Sequence, residues 1–486
     1  MMSEHVSAIG VFGQFAEDYL NFERTPRKSV FWLDTMEFLC RRLGNPHLSC
    51  PSVHVAGSKG KGSVAKMISC ILEEAGFCTG LYTSPHLLSL DERIGTASGP
   101  FSEEVYEASV KELMQSVRSI KPDELPGARP VTWFELVTLL GMLCFKNAGT
   151  EYSVYEVGLG GRLDATNVIQ PACCCITRIE LEHTEFLGDT EEKIAAEKGG
   201  IIKPGVPVII SRQTEPVKDV LLKIAKERGA PAVCTDSMSN ISEVVYKSRL
   251  LTSNDSYQLQ KNRQFSCVNS PFQMDFSLSS KAFSRPLNIS LAMAGEFQAE
   301  NAATASLAAK TVLPGLDEAV IERGLAKAVL PGRFEAADLS GTQFSTIPAL
   351  ILDGAHTVQS VKGTVDAFCR LFLHEPEAPF HGARLLFACA ADKDAERIAP
   401  LFKGVFLQAV LTRPGEFKPS DFSRLKKAFD SAGIEHIACA DCIKAVSYTL
   451  EQAAERQEAV LVTGSFYLVA EVKKFLMASR SHSFSR

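Results

Sequence analysis

Short apolar runs, each closing on a polar or glycine-rich turn and leading into a helical pattern, recur along most of this chain. The clearest is VHVAGSKGKGS over 53–63. Val53 and Val55 form a strand, Gly57, Gly60 and Gly62 a turn, and Val64, Met67, Ile68, Ile71 and Leu72 the apolar face of a helix. Further strands are expected at 80–83, 152–157, 173–179 and 206–210, with helices over 102–120, 132–146 and 190–199. Strand, polar end and helix in repetition predict an α/β fold: a doubly wound, mainly parallel sheet. By the right-handed crossover rule, the strand at 80–83 is expected parallel to and beside the strand at 53–56. Residues 1–50 read as helices that cover this sheet.

The pattern then changes twice. Residues 236–286 are rich in Ser, Asn and Gln and alternate weakly, predicting short antiparallel strands and loops at the periphery. Helices resume at 298–311 and 316–330, and Pro331–Gly332 interrupts them as an expected interdomain hinge. Strands at 349–352, 385–389, 405–411, near Ile437 and at 460–462 predict a second, smaller, Rossmann-like α/β domain without a glycine-rich phosphate loop. The expected division is therefore 1–331 and 332–486.

Composition narrows the function classes. A net charge of -6 with mixed signs provides no basic field for a nucleic-acid backbone. No stretch has the apolar length of a membrane span, and the N-terminus lacks signal-peptide character, so a soluble protein is expected. Of 14 cysteines, Cys173, Cys174 and Cys175 are consecutive in an apolar run, which suits buried reduced thiols and the cytoplasm. Cys439 and Cys442 form a lone C-x-x-C that supplies at most two metal ligands.

Candidate chemistry gathers at the strand ends. The turn at 57–63 aims backbone N–H groups and a helix N-terminus at one spot, which suits a phosphate. Lys61 adds a mobile cation, and the Ser63 hydroxyl suits a phosphate-bound Mg2+. The spacing departs from the usual P-loop, because Gly62 stands between lysine and hydroxyl. Ser84 and His86 follow the next strand at the expected ligand crevice; a capping serine and a packed histidine are the plainer reading. Glu156, before Gly158, Gly160 and Gly161, suits a metal or its waters, or equally a turn cap, and Asp164 and Asn167 extend the cluster. Glu182 and His183 crowd the end of a further strand, where imidazole is not the ligand Mg2+ favours.

Several motifs follow one another in a specific order: HVAGSKGKGS at 54–63, LYTSPHL at 81–87, EVGLGGRLDATNV at 156–168 and EHTEFLGDTEEKIAAEKGGIIKPGVP at 182–207. GEFQAENAATA at 295–305, PGRFE at 331–335, DGAH at 353–356, DKD at 392–394 and GSFYLVAEV at 464–472 complete the set. On these motifs the chain, from Tyr19 to Leu476, resembles the folylpolyglutamate synthase and dihydrofolate synthase family of the Mur-ligase superfamily.

The resemblance implies a monomeric, ATP-dependent ligase that adds L-glutamate to a folate or dihydropteroate carboxylate through an acyl phosphate. By the same comparison Gly57, Gly60, Lys61, Gly62 and Ser63 hold the phosphates, Asn301 lies near adenine, and Arg333 near the phosphates. Ser63, Ser84 and Glu156 would hold one Mg2+, and His183 a second together with Lys198, the lysine carbamylated in this family. Asp353 and His356 come from the C-terminal domain. Lys61, His183, Lys198, Asp353 and His356 are thereby the catalytic candidates. Three motifs depart from the family pattern: Phe297 stands for histidine, Glu182 for aspartate, and Thr357 for asparagine with Val358 for proline after it. The sequence also admits two other readings: a Mur-type ligase for another carboxylate and amino acid, and a nucleotide-gated interaction protein that lost the chemistry.

Overall fold

Strand β1 (Ser52–Ala56) is buried at every position, as expected for a central strand of a parallel sheet. In this computed structural model, which describes residues 7–23, 32–248, 272–373, 382–415 and 419–483, β1 lies fourth in a seven-stranded sheet. Its companions are β2 (Thr79–Tyr82), β3 (Ile94–Gly95), β4 (Tyr152–Glu156), β5 (Cys173–Ile176), β6 (Val208–Ile210) and β7 (Ala232–Cys234). The order is β3-β2-β4-β1-β5-β6-β7, parallel throughout except for the β2–β3 edge pair.

One expectation is corrected here. Strand β2 is parallel to β1 but not beside it, because β4 pairs with both. The crossover rule sets handedness, not adjacency. The helix Trp133–Ala148, apolar nearly all round, returns the chain to a central slot that β4 fills, buried from Ser153 to Glu156. Thr132 starts that helix with a reciprocal cap to Glu135, and Gly149, at φ 66°, ends it.

The region at 236–286 carries β8 (Ser239–Ser248) and β9 (Phe272–Ser280), which form a three-stranded sheet with β10 (Leu287–Leu291) in the order β10-β9-β8. In β9 the alternation is regular: Phe272, Met274, Phe276 and Leu278 are buried. Residues 249–271 of this region lie outside the described residues. The last sheet runs β11 (Glu335–Ala336), β12 (Leu350–Leu352), β16 (Ala459–Thr463), β13 (Ala383–Phe387), β14 (Gln408–Leu411), β15 (His436–Ala438). It is parallel apart from the β11–β12 edge.

Packing divides the chain into two compact units. One comprises the chain through Ser242, Ser277–Asn288 and Ala299–Ala328; the other Glu243–Phe276, Ile289–Gln298 and the chain from Val329. Four of the five boundaries fall inside β8, β9, β10 and the helix Glu296–Val312, within regular elements; the fifth, between Ala328 and Val329, falls in the linker after the helix Glu318–Ala326. Cys173, Cys174 and Cys175 are free thiols buried in β5. Burial, then the charges of Glu471 and Asp441, push the Cys442 thiol up to about 12, far from a reactive thiolate. Among the described residues no helix is long and apolar enough to cross a membrane.

Candidate functional site

The strand register assembles the first cluster. Val55 pairs with Glu156, and Tyr82 with Tyr155, so the ends of β1, β4 and β2 are nearly level. Glu156 therefore stands beside the turn that begins at Gly57, with Ser84 just beyond β2. The Ser84 N–H donates to Glu156 Oε2 at 2.9 Å, and Glu156 is buried. His86 is packed: its Nδ1 accepts from Arg93 Nε at 2.7 Å, and Arg93 grips Glu23 with both terminal nitrogens. Burial, then the Arg93 charge, lowers the His86 pKa to about 4, so the ring is neutral.

Glycine is required at two points of the loop. Gly57 has φ 147°, and a Cβ there would collide with the Thr177 hydroxyl; Gly60 has φ 89°, and a Cβ there would collide with the Asn301 amide. Thr177 and Asn301 thus press directly on the loop backbone. The helix Lys61–Glu74 starts at once, with Lys61 as its first residue and Ser63 buried in its first turn. Lys61 Nζ donates to Gly57 O at 2.9 Å.

A second cation shares that carbonyl. Lys198 Nζ donates to Gly57 O and to Glu182 Oε1, both at 2.9 Å, and its side chain is only 2% exposed. Lys198 closes the helix Glu191–Lys198, against which the 158–161 turn packs: a Cβ on Gly161 would stand 2.8 Å from Lys198 O. The Asp164 carboxylate holds that turn, accepting from the N–H groups of Gly158 and Leu159.

The charges of the Lys198–Glu182 pair do not balance symmetrically. Burial pushes the Glu182 carboxyl up, but Lys198, Lys61 and Lys59 outweigh it and its pKa falls to about 2. At Lys198 burial dominates; Glu182 offsets only part of it, Lys61 adds to it, and the pKa drops to about 8. Three cations face one carboxylate, which explains the difference. The glutamate at 182 therefore reaches the buried ammonium. His183 comes next, exposed, in left-handed backbone conformation at the start of the short helix Thr184–Leu187.

The metal reading can be tested on these donors. Glu156 and the hydroxyls of Ser63 and Ser84 are hard oxygen ligands of the kind Mg2+ takes along with phosphate oxygens and water. Among the described residues no three His, Cys, Asp or Glu side chains cluster as a protein-only metal cage. Mg2+ in nucleotide sites does not need one. At the second position Lys198, as an ammonium, has no lone pair for a metal; only a carbamate there would supply oxygens.

The second unit carries its own cluster. Asp353, buried at the end of β12, accepts from the N–H of Phe334 (2.7 Å), the N–H of Ala355 (2.8 Å) and the Thr364 hydroxyl (3.0 Å). Burial raises its pKa, and the Arg333 charge offsets part of that. His356 Nδ1 lies 2.8 Å from Gly354 O; a carbonyl only accepts, so Nδ1 carries the hydrogen. Thr357 caps the helix Val358–Phe372, exchanging hydrogen bonds with Ser360. Threonine in place of asparagine thus keeps an N-cap. Phe297, 37% exposed, packs its ring on Gly363 of that helix.

The fold thus brings Gly57, Gly60, Lys61, Ser63, Lys198 and Asn301 around one turn, with Ser84 and Glu156 at its side. Arg333, Asp353 and His356 gather in the other unit. Sequence reading missed Thr177, which shapes the loop, and Phe466, whose ring carries the Arg333 guanidinium at 4.3 Å. Phe466 sits inside the GSFYLVAEV motif, but nothing in that string marks its ring as an arginine's support.

The Mur ligase middle domain family matches residues 55–309. A dihydrofolate synthase/folylpolyglutamate synthase of Mycobacterium tuberculosis is 30% identical over 401 residues, 79% of this chain and 75% of that protein. A probable bifunctional folylpolyglutamate synthase/dihydropteroate synthase of Haloferax volcanii is 29% identical over 90% of this chain, which spans 48% of that longer protein. Among solved structures, a folylpolyglutamate synthase from Thermotoga maritima superposes with a TM-score of 0.75 at 27% identity, covering 97% of each chain.

Proposed function

The chain belongs to the folylpolyglutamate synthase and dihydrofolate synthase family of Mur ligases, and from that premise we propose how its residues perform an ATP-dependent ligation. A folate or dihydropteroate carboxylate attacks the γ-phosphorus of ATP; the β–γ bridging bond breaks, and ADP leaves. The amine of L-glutamate then adds to the acyl phosphate carbon, loses a proton, and the C–O bond breaks to release phosphate and amide. The arrangement around Gly57 carries this reading: a loop that only glycine can form, with two lysines on one carbonyl and a buried carboxylate alongside.

Within it, the 57–63 backbone and Lys61 bind and orient the β- and γ-phosphates, and Lys61 offsets the charge that builds during transfer. Asn301, in contact with Gly60, places the adenine side of the nucleotide. Ser63, Ser84 and Glu156 would hold one Mg2+; His183, with Lys198 if carbamylated, would hold another. Bound Mg2+ supplies charge neutralisation between two anionic groups that must approach each other. The pKa of about 8 gives Lys198 a neutral fraction near neutral pH, which carbamylation requires. Arg333 engages the phosphates, with Asp353 holding its turn, and His356 serves the amino-acid side. Residues 1–331 then form the nucleotide-binding part and 332–486 the amino-acid-ligating part. The proposed state is a monomer, and the buried free thiols support a reducing compartment, the cytoplasm.

The test is direct. Purified protein with ATP, Mg2+ and L-glutamate should release phosphate and form a glutamylated product only when dihydropteroate or a reduced folate is added. Folded protein that binds ATP but forms no product with either acceptor would sink the proposal, and the ratio between acceptors assigns the substrate.

A further inference from the structure

Phe466 opens the helix Phe466–Ser483, directly after β16 and the turn Gly464–Ser465. Its ring meets three groups of the second unit at once. The Arg333 guanidinium lies over its face, Cζ 4.3 Å from the centroid. Its edge occupies the space that a Cβ on Gly354 would need. The His356 ring meets it edge-on, with centroids 6.2 Å apart at 63°.

Beneath Arg333 the backbone is held separately. Gly354 N donates to Gly332 O at 2.8 Å, Gly332 N to Glu335 Oε2 at 2.8 Å, and Phe334 N to Asp353 Oδ2 at 2.7 Å. Phe334 itself sits at φ 50°, buried against Phe272 at a ring separation of 5.2 Å. These bonds place the Arg333 Cα. The long side chain of Arg333, whose rotamers are costly to hold in one arrangement, interacts with the Asp353 charge and lies over the Phe466 face. A planar guanidinium over an aromatic face is held by the ring quadrupole and keeps its N–H fork directed outward in the plane. Gly354 makes this possible, because it leaves room for the ring edge beside the chain.

We propose that Phe466 is the positioning residue for the Arg333 guanidinium, holding it in the orientation in which it binds the nucleotide phosphates. The inference rests on the reading of Arg333 as a phosphate ligand. A leucine at 466 would also cover Gly354, but it offers no quadrupole; a tyrosine offers both.

The experiment measures the ATP dissociation constant, KM for ATP and kcat for wild type, F466L, F466Y, R333Q and the double variant R333Q/F466L, with Tm for each. F466L should raise Kd and KM for ATP about 3- to 20-fold while kcat changes less, and F466Y should stay within about two-fold of wild type. R333Q should weaken ATP binding, and F466L should add nothing on that background. Equal effects of F466L with and without Arg333, an F466Y as impaired as F466L, or an R333Q that binds ATP like wild type each overturn the inference. If F466L does not fold, F466M takes its place in the same cycle. A wild type that binds ATP yet makes no folate-dependent product ends the ligase reading, while the binding arm still decides Phe466.

Discussion

The two clusters hold positive charge in different ways. Around Gly57, two lysines converge on one backbone carbonyl, and the space is set by glycines that no other residue can replace. Around Arg333, one glycine, Gly354, makes room for the Phe466 ring, and three backbone amides, one buried carboxylate and that aromatic face do the holding. The first is a property of backbone conformation, and the second of side chains drawn from distant parts of the chain. A cradle of the first kind is fixed by positive φ as well as by space, whereas one of the second kind, Gly354 apart, should degrade gradually as each support is removed.

Variants can break that contrast. Lys61→Ala should lower folate-dependent product formation by about 10²- to 10³-fold with little change in Tm, since Lys61 is half-buried at the loop and contributes charge rather than packing. An unchanged rate would refute its role. Gly57→Ala should cost about 2–4 kcal/mol in urea unfolding, because positive φ and the Thr177 collision act together. Asp353→Ala should cost about 2–3 kcal/mol by stranding the N–H groups of Phe334 and Ala355, while the Thr364 hydroxyl keeps Ser360 O as its acceptor; a loss as small as that of a surface variant would mean these donors find other partners.

A pH measurement sharpens the electrostatic side. Glu182 has a folded pKa of about 2 against an ordinary 4.5, so the folded chain binds this proton more weakly than the unfolded one. Its contribution is then complete above pH 4.5 and lost as pH falls towards 2. The Tm difference between wild type and Glu182→Gln should shrink across that window; a constant difference would show that the carboxylate charge is not what Lys198 requires. The smallest effect belongs to Thr357. Thr357→Ala should cost about 1 kcal/mol as a lost N-cap, and Thr357→Asn almost nothing, both read from chemical unfolding.

Strand–turn–helix repetition and glycine spacing made the sheet of the first unit and its loop legible along the chain, because period and φ > 0 are local demands. Motif order placed Glu156, Lys198, Asn301 and Arg333 among the candidates before any contact was known. Local pattern did not reach the strand order. The slot β4 takes between β1 and β2 depends on which buried face the helix Trp133–Ala148 covers, a choice made by packing between remote segments.

That a glycine-defined loop presents Lys61 at a helix start is written in residues 57–63 alone, since no other residue fits those dihedrals. Folding adds what no local pattern carries: Lys198 shares Gly57 O with Lys61, Glu182 reaches that ammonium, and the ring of Phe466 lies under Arg333. Each of these joins residues far apart in the chain or on different elements, and their energies come from burial and mutual orientation, which no stretch of sequence carries alone.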